Sequence, residues 1–403
     1  MEGQKHSKKS AFRKIAEWLH LWLGLLSGIV VFIVCFTGGL WVFRYEIGAI
    51  TEKHQFVVPQ QKSFLPPSVL VNKAQAYFTV KGTDSAKLTG IIYGKKDRSA
   101  QLNFSFGKKG IAYLYMNPYD GRLILDKRKP DAYEMAMLLI RAGHRFLWLP
   151  QKIGSPIVGS ACLIFLIIII TGLVWWYPQK WTKRTVKKSF TLKRRAGWKR
   201  LNIDLHNVFG FYASILLLFL TITGIYYTFG WFRHGMYRTL TGKVAVELKE
   251  EDPLSDTTVT PKPATTIALD HIWKYVTHRH ADFGRIYFHA PQLPKDTYQT
   301  MVFFGDGTIF YNKETYFHDQ ATLKSLPYVD PNDKPYAEIS AGERAYRMNF
   351  DIHTGQILGL PTKILAFLAC MVGASLPVTG TIIWYNRKWG KKKRPSKVNL
   401  VNC

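Results

Sequence analysis

The chain has 403 residues, 47% of them apolar and 14% aromatic, and 55 Lys and Arg against 27 Asp and Glu give it a net charge of +28. Near-zero mean hydropathy at that apolar content describes a mixture of membrane spans and soluble modules. Of the +28, +20 lies in residues 1–19, 178–203 and 386–403, short strips flanking apolar runs, which argues against a nucleic-acid surface and marks the strips as cytoplasmic and attractive to anionic lipid.

Four runs reach the roughly 20 apolar residues that a bilayer crossing needs: 21–43, 157–177, 208–229 and 362–385. They divide the chain into a cytoplasmic start with the first span (1–45), an outer module with an interfacial helix (46–152), the second span (153–178) and a basic cytoplasmic loop (179–203). The third span (204–231), a second outer module (232–358), the fourth span (359–386) and a basic cytoplasmic tail (387–403) follow. The first run is too long for a signal-peptide core and no small-x-small cleavage site follows it, so it is expected to stay as an anchor. Four crossings with both termini inside place all three basic strips on one side. Cys35, Cys162, Cys370 and Cys403 form no CxxC or CxxCH, which argues against a disulfide framework, a zinc ribbon and covalent haem attachment.

The first span carries His20 near its inner end between Trp18 and Trp22, with Gly24 one turn along the same face and Thr37-Gly38 beyond. A histidine in an apolar span is costly without a partner and is therefore a functional candidate. The alternative is a packing face of Gly24 and Gly28, with His20 hydrogen-bonded to a neighbouring helix. In the first outer module the pattern predicts a helix at 67–78, strands at 87–93, 101–106 and 110–116, a turn at 117–121 and a short strand at 122–125. Residues 131–149 read as an amphipathic helix with His144 between Arg141 and Arg145, and the second span closes in Thr171-Gly172.

The third span repeats the first. His206, Gly210 and Thr223-Gly224 stand at the offsets of His20, Gly24 and Thr37-Gly38, four residues to the first glycine and seventeen to the threonine. The second outer module is predicted as a helix at 266–275 and strands at 285–289, 298–304, 308–311 and 345–350, and it ends with His353 before the fourth span, as His144 precedes the second. The fourth span closes in Thr379-Gly380; from the glycine, Trp, Tyr, Lys and Trp fall at offsets four, five, eight and nine in both the second and fourth spans. The chain thus reads as a duplicated unit of span, outer module and span. The Thr-Gly pairs read as close-approach points with a local hydroxyl-to-backbone bond. His6, His54, His234, His271, His278, His280, His289 and His318 have no matched counterpart; His278 and His280 suit either a metal pair on one strand face or a solvated stretch.

Two histidines near the inner face, His20 and His206, and two near the outer, His144 and His353, would each close a six-coordinate site. Bis-histidine coordination at two depths is what a membrane cytochrome with two non-covalent haem b groups requires. Arg141 and Arg145 are candidate propionate partners at the outer site, and Arg13, Lys14 and Arg200 at the inner one. No dinucleotide fingerprint or P-loop occurs, so the reductant is expected to be another protein or a membrane quinol, and no general acid or nucleophile is required.

LHLWLGL at 19–25, DLHNVFGF at 204–211, DIHTGQILG at 351–359 and the four Thr-Gly pairs resemble the PepSY-associated transmembrane family, and MNPYDGRLI at 116–124 is similar to the terminal hairpin of a PepSY module. The resemblance covers nearly the whole chain. It implies a membrane α-helical fold, four transmembrane helices from a duplicated unit with two small α+β PepSY-like periplasmic modules, in the bacterial inner membrane. It also implies two haem b groups on His20, His144, His206 and His353, and reduction of a ferric siderophore on the periplasmic side to release Fe(II) for iron uptake. Three readings stay open on the residues: this di-haem ferric reductase or a relay to another periplasmic acceptor, a haem-free siderophore or metal carrier, and a PepSY binding module. A carrier calls for broken helices with polar groups at mid-bilayer, whereas these spans are polar near their ends.

Overall fold

The computed structural model describes residues 10–82, 86–193, 195–244, 252–328 and 330–390. The expected start at 1–9, the basic tail beyond 390, His6 and Cys403 lie outside the described residues. The chain divides into two compact units, one of Met1–Leu40, Ile140–Thr228 and Ile364–Cys403, the other of Trp41–Leu139 and Phe229–Lys363.

In chain order the elements up to the second long helix are α1 (Ala11–Val42), α2 (Arg44–Thr51), α3 (Pro67–Val80), β1 (Lys87–Tyr93), β2 (Ala100–Ser105), β3 (Ile111–Met116), β4 (Leu123–Lys127), α4 (Ala132–Phe146) and α5 (Gln151–Trp176). Then come α6 (Lys183–Phe190), α7 (Trp198–Asp204), a π-helical turn at Leu205–Phe209 and α8 (Gly210–Ile225). The remainder is α9 (Gly230–Thr241), α10 (Thr265–Arg279), β5 (Arg285–His289), β6 (Tyr298–Phe303), β7 (Lys313–His318), β8 (Ser325–Leu326), α11 (Ala341–Arg347), α12 (Asn349–His353) and α13 (Leu360–Lys388).

The first unit is built on the four helices long and apolar enough to cross a membrane: α1, α5, the continuous Trp198–Ile225 helix and α13. Each begins before its predicted apolar run, and the third ends at Ile225, short of the predicted 229. Val31, Phe165, Ile169, Ala213, Leu217 and Ala369 form the buried seam between them, and Leu26, Ile29, Ile215 and Phe219 face outward, as lipid-facing residues do. Pro156 and Pro377 sit inside α5 and α13. The turn from α4 to α5 holds Leu147 and Trp148 at φ 55° and 58°, a left-handed pair that side chains rarely adopt. Gly143 permits it, since a Cβ there would run into the Trp148 indole.

The second unit is a single antiparallel sheet in the order β4-β3-β2-β1-β5-β6-β7-β8. The two outer segments, read from sequence as two separate modules, are therefore joined edge to edge. β1 pairs with β5, Ile91 opposite Phe288 and Tyr93 opposite Ile286. α3 and α10 contribute Leu70, Val71, Ala74 and Phe78, and Ala268, Leu269, Ile272 and Val276, to one apolar core with the sheet. Proline at the first position of α3 is pre-set for a helix start, and the Ser68 amide there donates to Asp270 Oδ1 on α10 at 2.8 Å.

Two predicted strands are corrected. Residues 308–311 leave the ladder because the Phe310 and Tyr311 amides donate to Asp351 at 3.0 and 2.8 Å; the strand is β7, further along. Residues 345–350 are helical in α11 and α12, started by a capping box in which Ser340 and Glu343 satisfy each other's amides.

Candidate functional site

The inner histidines are seated on neighbouring helices by the same device. His20 of α1 turns its ring onto α5, where Nδ1 donates to the Ile168 carbonyl at 3.0 Å and Thr171 Oγ1 is 3.5 Å away. A Cβ on Gly172 would sit 2.9 Å from His20 Cε1, so only glycine leaves room for the ring. His206 turns onto α13, where Nδ1 lies 2.9 Å from Thr379 Oγ1 and a Cβ on Gly380 would stand 3.2 Å from its Cε1. The Thr379 hydroxyl donates to the Ser375 carbonyl at 2.9 Å and so accepts from the ring. In both rings Nδ1 carries the proton and Nε2 keeps its lone pair, the tautomer a metal ligand needs.

His206 lies within the π turn, a rare geometry found often at functional sites. The turn is braced from below: Asp204, 1% exposed, is held by Arg200 Nη2 at 2.8 Å, and Asn202 Nδ2 donates to the Thr379 carbonyl at 3.0 Å. The two imidazole centroids are 6.2 Å apart with their planes at 87°. Metal–imidazole bonds of about 2 Å, with about 1 Å more from each nitrogen to its ring centre, would set two axial imidazoles about 6 Å apart across one metal ion. The pair opens on a cavity of about 570 Å³ lined by Gly24, Gly210, Trp175, Trp176 and Phe211, within the roughly 300–1,000 Å³ range of cofactor pockets. A Cβ on Gly24 would meet nothing within 4 Å, which leaves a flat face free next to the His20 turn. These residues fit a porphyrin held by two axial imidazoles.

The profile of the PepSY-associated TM region matches residues 17–387. The chain belongs to that family. No curated protein sequence matches it. As a member of the PepSY-associated transmembrane family with four apolar helices of spanning length, it is a multi-pass membrane protein.

The other residues singled out from the sequence of this PepSY-associated protein are placed as follows. His144, on α4, repeats the seating: Nδ1 bonds the Val34 carbonyl of α1 at 2.9 Å, and a Cβ on Gly38 would come 2.8 Å from its Cε1. His353 ends α12 in the second unit, half-buried. Arg13 lines the inner cavity but is engaged by Glu17 and by the carbonyls of Trp175 and Tyr177 at the end of α5. Arg200 also lines it, tied to Asp204; Lys14 is exposed and is not among the lining residues. Arg141 is exposed and Arg145 half-buried.

Three features escaped the sequence reading. Lys188 and Arg387 line the inner cavity, and Arg387 lies 5.5 Å from the Trp175 ring centre; nothing in a basic strip distinguishes the lysine or arginine that turns inward. The Thr-Gly pairs, read as packing points, seat His20, His206 and His144, and the signal was there in their spacing. His278 and His280 are not on a strand: His278 lies in the last turn of α10 and His280 follows it, where residues two apart face different ways. His280 Nε2 instead bonds the Tyr316 hydroxyl at 2.6 Å.

Proposed function

We propose that this protein is a b-type cytochrome of the bacterial inner membrane, an oxidoreductase that passes electrons from the cytoplasmic side to a periplasmic ferric chelate of the siderophore class and so releases Fe(II) for uptake. The observation that carries the reading is the His20–His206 pair: two imidazoles 6.2 Å apart, each oriented through Nδ1, over a cavity of cofactor size. Haem, when bound, supplies one-electron chemistry at its iron.

The chain's own residues do the rest. Ile168 and Thr379 hold the two ring tautomers, Gly172 and Gly380 keep backbone close to the rings, and Gly24, Trp175, Trp176 and Phe211 line the cavity. Arg13, Lys188, Arg200 and Arg387 supply positive charge along it, which suits propionate carboxylates. A second haem on His144 and His353 is inferred from their matched positions in the sequence and from the seating His144 shares with the inner pair. The mirror order of the strands about β1 and β5 supports a duplicated origin. The basic strips support cytoplasmic termini, contact with anionic lipid and docking of a donor protein, with a membrane quinol as the other donor class.

A carrier is disfavoured by the continuity of the four spanning helices, which are interrupted by neither loop nor unwound turn at mid-length. A relay to another periplasmic acceptor shares every feature except the substrate. The deciding measurement is the visible spectrum of the detergent-purified protein, oxidised and reduced, with a pyridine haemochrome count. Two low-spin b-type haems per chain are expected, and His206→Ala is expected to lose one of them. A colourless protein from haem-replete cells ends the cytochrome reading. Reoxidation of the reduced protein by a ferric trihydroxamate then separates a ferric reductase from a relay, which would leave the chelate untouched.

A further inference from the structure

Away from the inner cavity, the second unit buries a cluster of cations around Tyr45. Arg44, 7% exposed, stacks its guanidinium 4.2 Å from the centre of the Tyr45 ring. Lys363, 2% exposed, stands 5.4 Å from the same centre, and the Tyr45 phenol lies against Arg285. Arg285 leaves the start of β5 and lies 4.2 Å from the Phe303 ring centre. It is pressed there by the turn through Gly307, whose φ of +77° and 2.9 Å Cβ approach to Arg285 admit only glycine.

The acids nearby are already engaged. Glu46 Oε1 takes Lys363 Nζ at 2.6 Å, and among the described residues its Oε2 has no partner. Asp351 accepts the Phe310 and Tyr311 amides, and Asp306 accepts the Thr308 amide and hydroxyl at 2.9 and 2.7 Å. Each guanidinium keeps one N–H unmet: Arg285 bonds the Tyr45 phenol and Arg44 lies within the field of Asp351, but among the described residues Arg44 Nη2 and Arg285 Nε have no hydrogen-bond partner, and Arg44 Nη1 reaches the Trp41 carbonyl at a long 3.5 Å. A buried N–H of a charged group left without an acceptor carries its full desolvation cost. Two around one aromatic ring describe a site built for an anion.

We propose that Arg44 and Arg285 form a buried carboxylate site. Guanidinium edges match a carboxylate's two oxygens, and the site lies in the unit that carries His353, two residues beyond Asp351. Such a carboxylate has two sources: a propionate of a haem held by His353, which rests on the function proposed above, or a carboxylate arm of the ferric chelate.

The test uses the full-length protein in detergent, with Arg44→Gln/Arg285→Gln beside wild type. In the first arm, haem-stripped protein is reconstituted with haem b or with its dimethyl ester, in which the propionates are blocked. If a propionate fills the site, blocking weakens binding at one of the two haem positions roughly tenfold or more in wild type, and the variant no longer discriminates. In the second arm, gallium citrate, a redox-inert carboxylate chelate, and a gallium trihydroxamate are titrated into wild type and variant. If a chelate carboxylate fills the site, citrate raises the wild-type Tm alone and the trihydroxamate raises neither. A colourless protein defeats the haem reading without touching this proposal, which the second arm then decides alone. Wild type and variant indistinguishable in both arms overturn it. Should the glutamine variants fail to fold, Arg44→Lys and Arg285→Lys keep charge and bulk and carry the same comparisons.

Discussion

His318 of β7 is 1% exposed, and among the described residues neither of its ring nitrogens has a hydrogen-bond partner. Burial, reinforced by the nearby Arg279 charge, depresses its pKa from 6.5 to about 4. The folded chain thus holds this ring neutral where an unfolded chain would protonate it. Its contribution is fully present above pH 6.5 and is lost as pH falls from there toward 4. The shift corresponds to about 3 kcal/mol at acid pH, at roughly 1.4 kcal/mol per unit. His318→Phe, which fills the space against Tyr275 without titrating, is expected to flatten the fall in Tm between pH 7.5 and 5; an unchanged slope would show that another group sets it. At the same scale, and on the function proposed above, Gly172→Val is expected to displace His20, whose Cε1 a Cβ there would approach to 2.9 Å, and so to cost one haem.

Among the elements, the end of α2, the end of β4 and the start of α4 are tied by one lysine. Lys127 Nζ, 6% exposed, reaches Glu52 at 2.9 Å, Asp131 at 2.5 Å and Glu134 at 3.1 Å. Its three carboxylate partners hold the amine well above the usual lysine range despite burial, and the Asp131 carboxyl falls to about 2. Lys127→Met leaves three acids facing one another and is expected to cost about 3–5 kcal/mol, the range for breaking a buried pair on one side, read as a drop in unfolding midpoint that Lys127→Arg largely avoids.

This is also the scale at which the sequence was most and least legible. β1 and β5 match their predicted bounds because alternation and flanking turns are local. The 308–311 stretch misled because Thr, Ile, Phe and Tyr favour strands anywhere, and the carboxylate that pulls their amides away is Asp351, some forty residues on. The capping box from Ser340 to Glu343 was legible and outweighs the strand propensity of the residues after it. The His-Gly-Thr-Gly offsets were plain, but the helix on which each histidine rests is a fact of packing that spacing along one helix does not contain.

At the scale of the whole molecule, both units draw on both halves of the chain. The inner pair takes His20 from the first half and His206 from the second; the sheet takes β1 from the first and β5 from the second. A chain cut in the basic loop after α6 is therefore expected to yield halves that co-purify on one tag when expressed together and, on the function proposed above, that hold no inner haem when expressed apart. A half that purifies alone with that haem would contradict the arrangement.

The near-perpendicular setting of His20 and His206 has a spectroscopic consequence. Parallel axial imidazoles donate into the same iron d orbital and split the π-type pair, which gives the familiar rhombic low-spin signal. Imidazoles at 87° donate into different members of the pair and leave them nearly degenerate. If haem binds between these two rings as proposed, its ferric iron is expected to show a strongly anisotropic electron paramagnetic resonance, one large g value with the others broadened almost out of sight. Because each ring is pinned through Nδ1 to a different helix, any slip of α5 against α13 would turn the planes and be read in that signal before either ligand was lost.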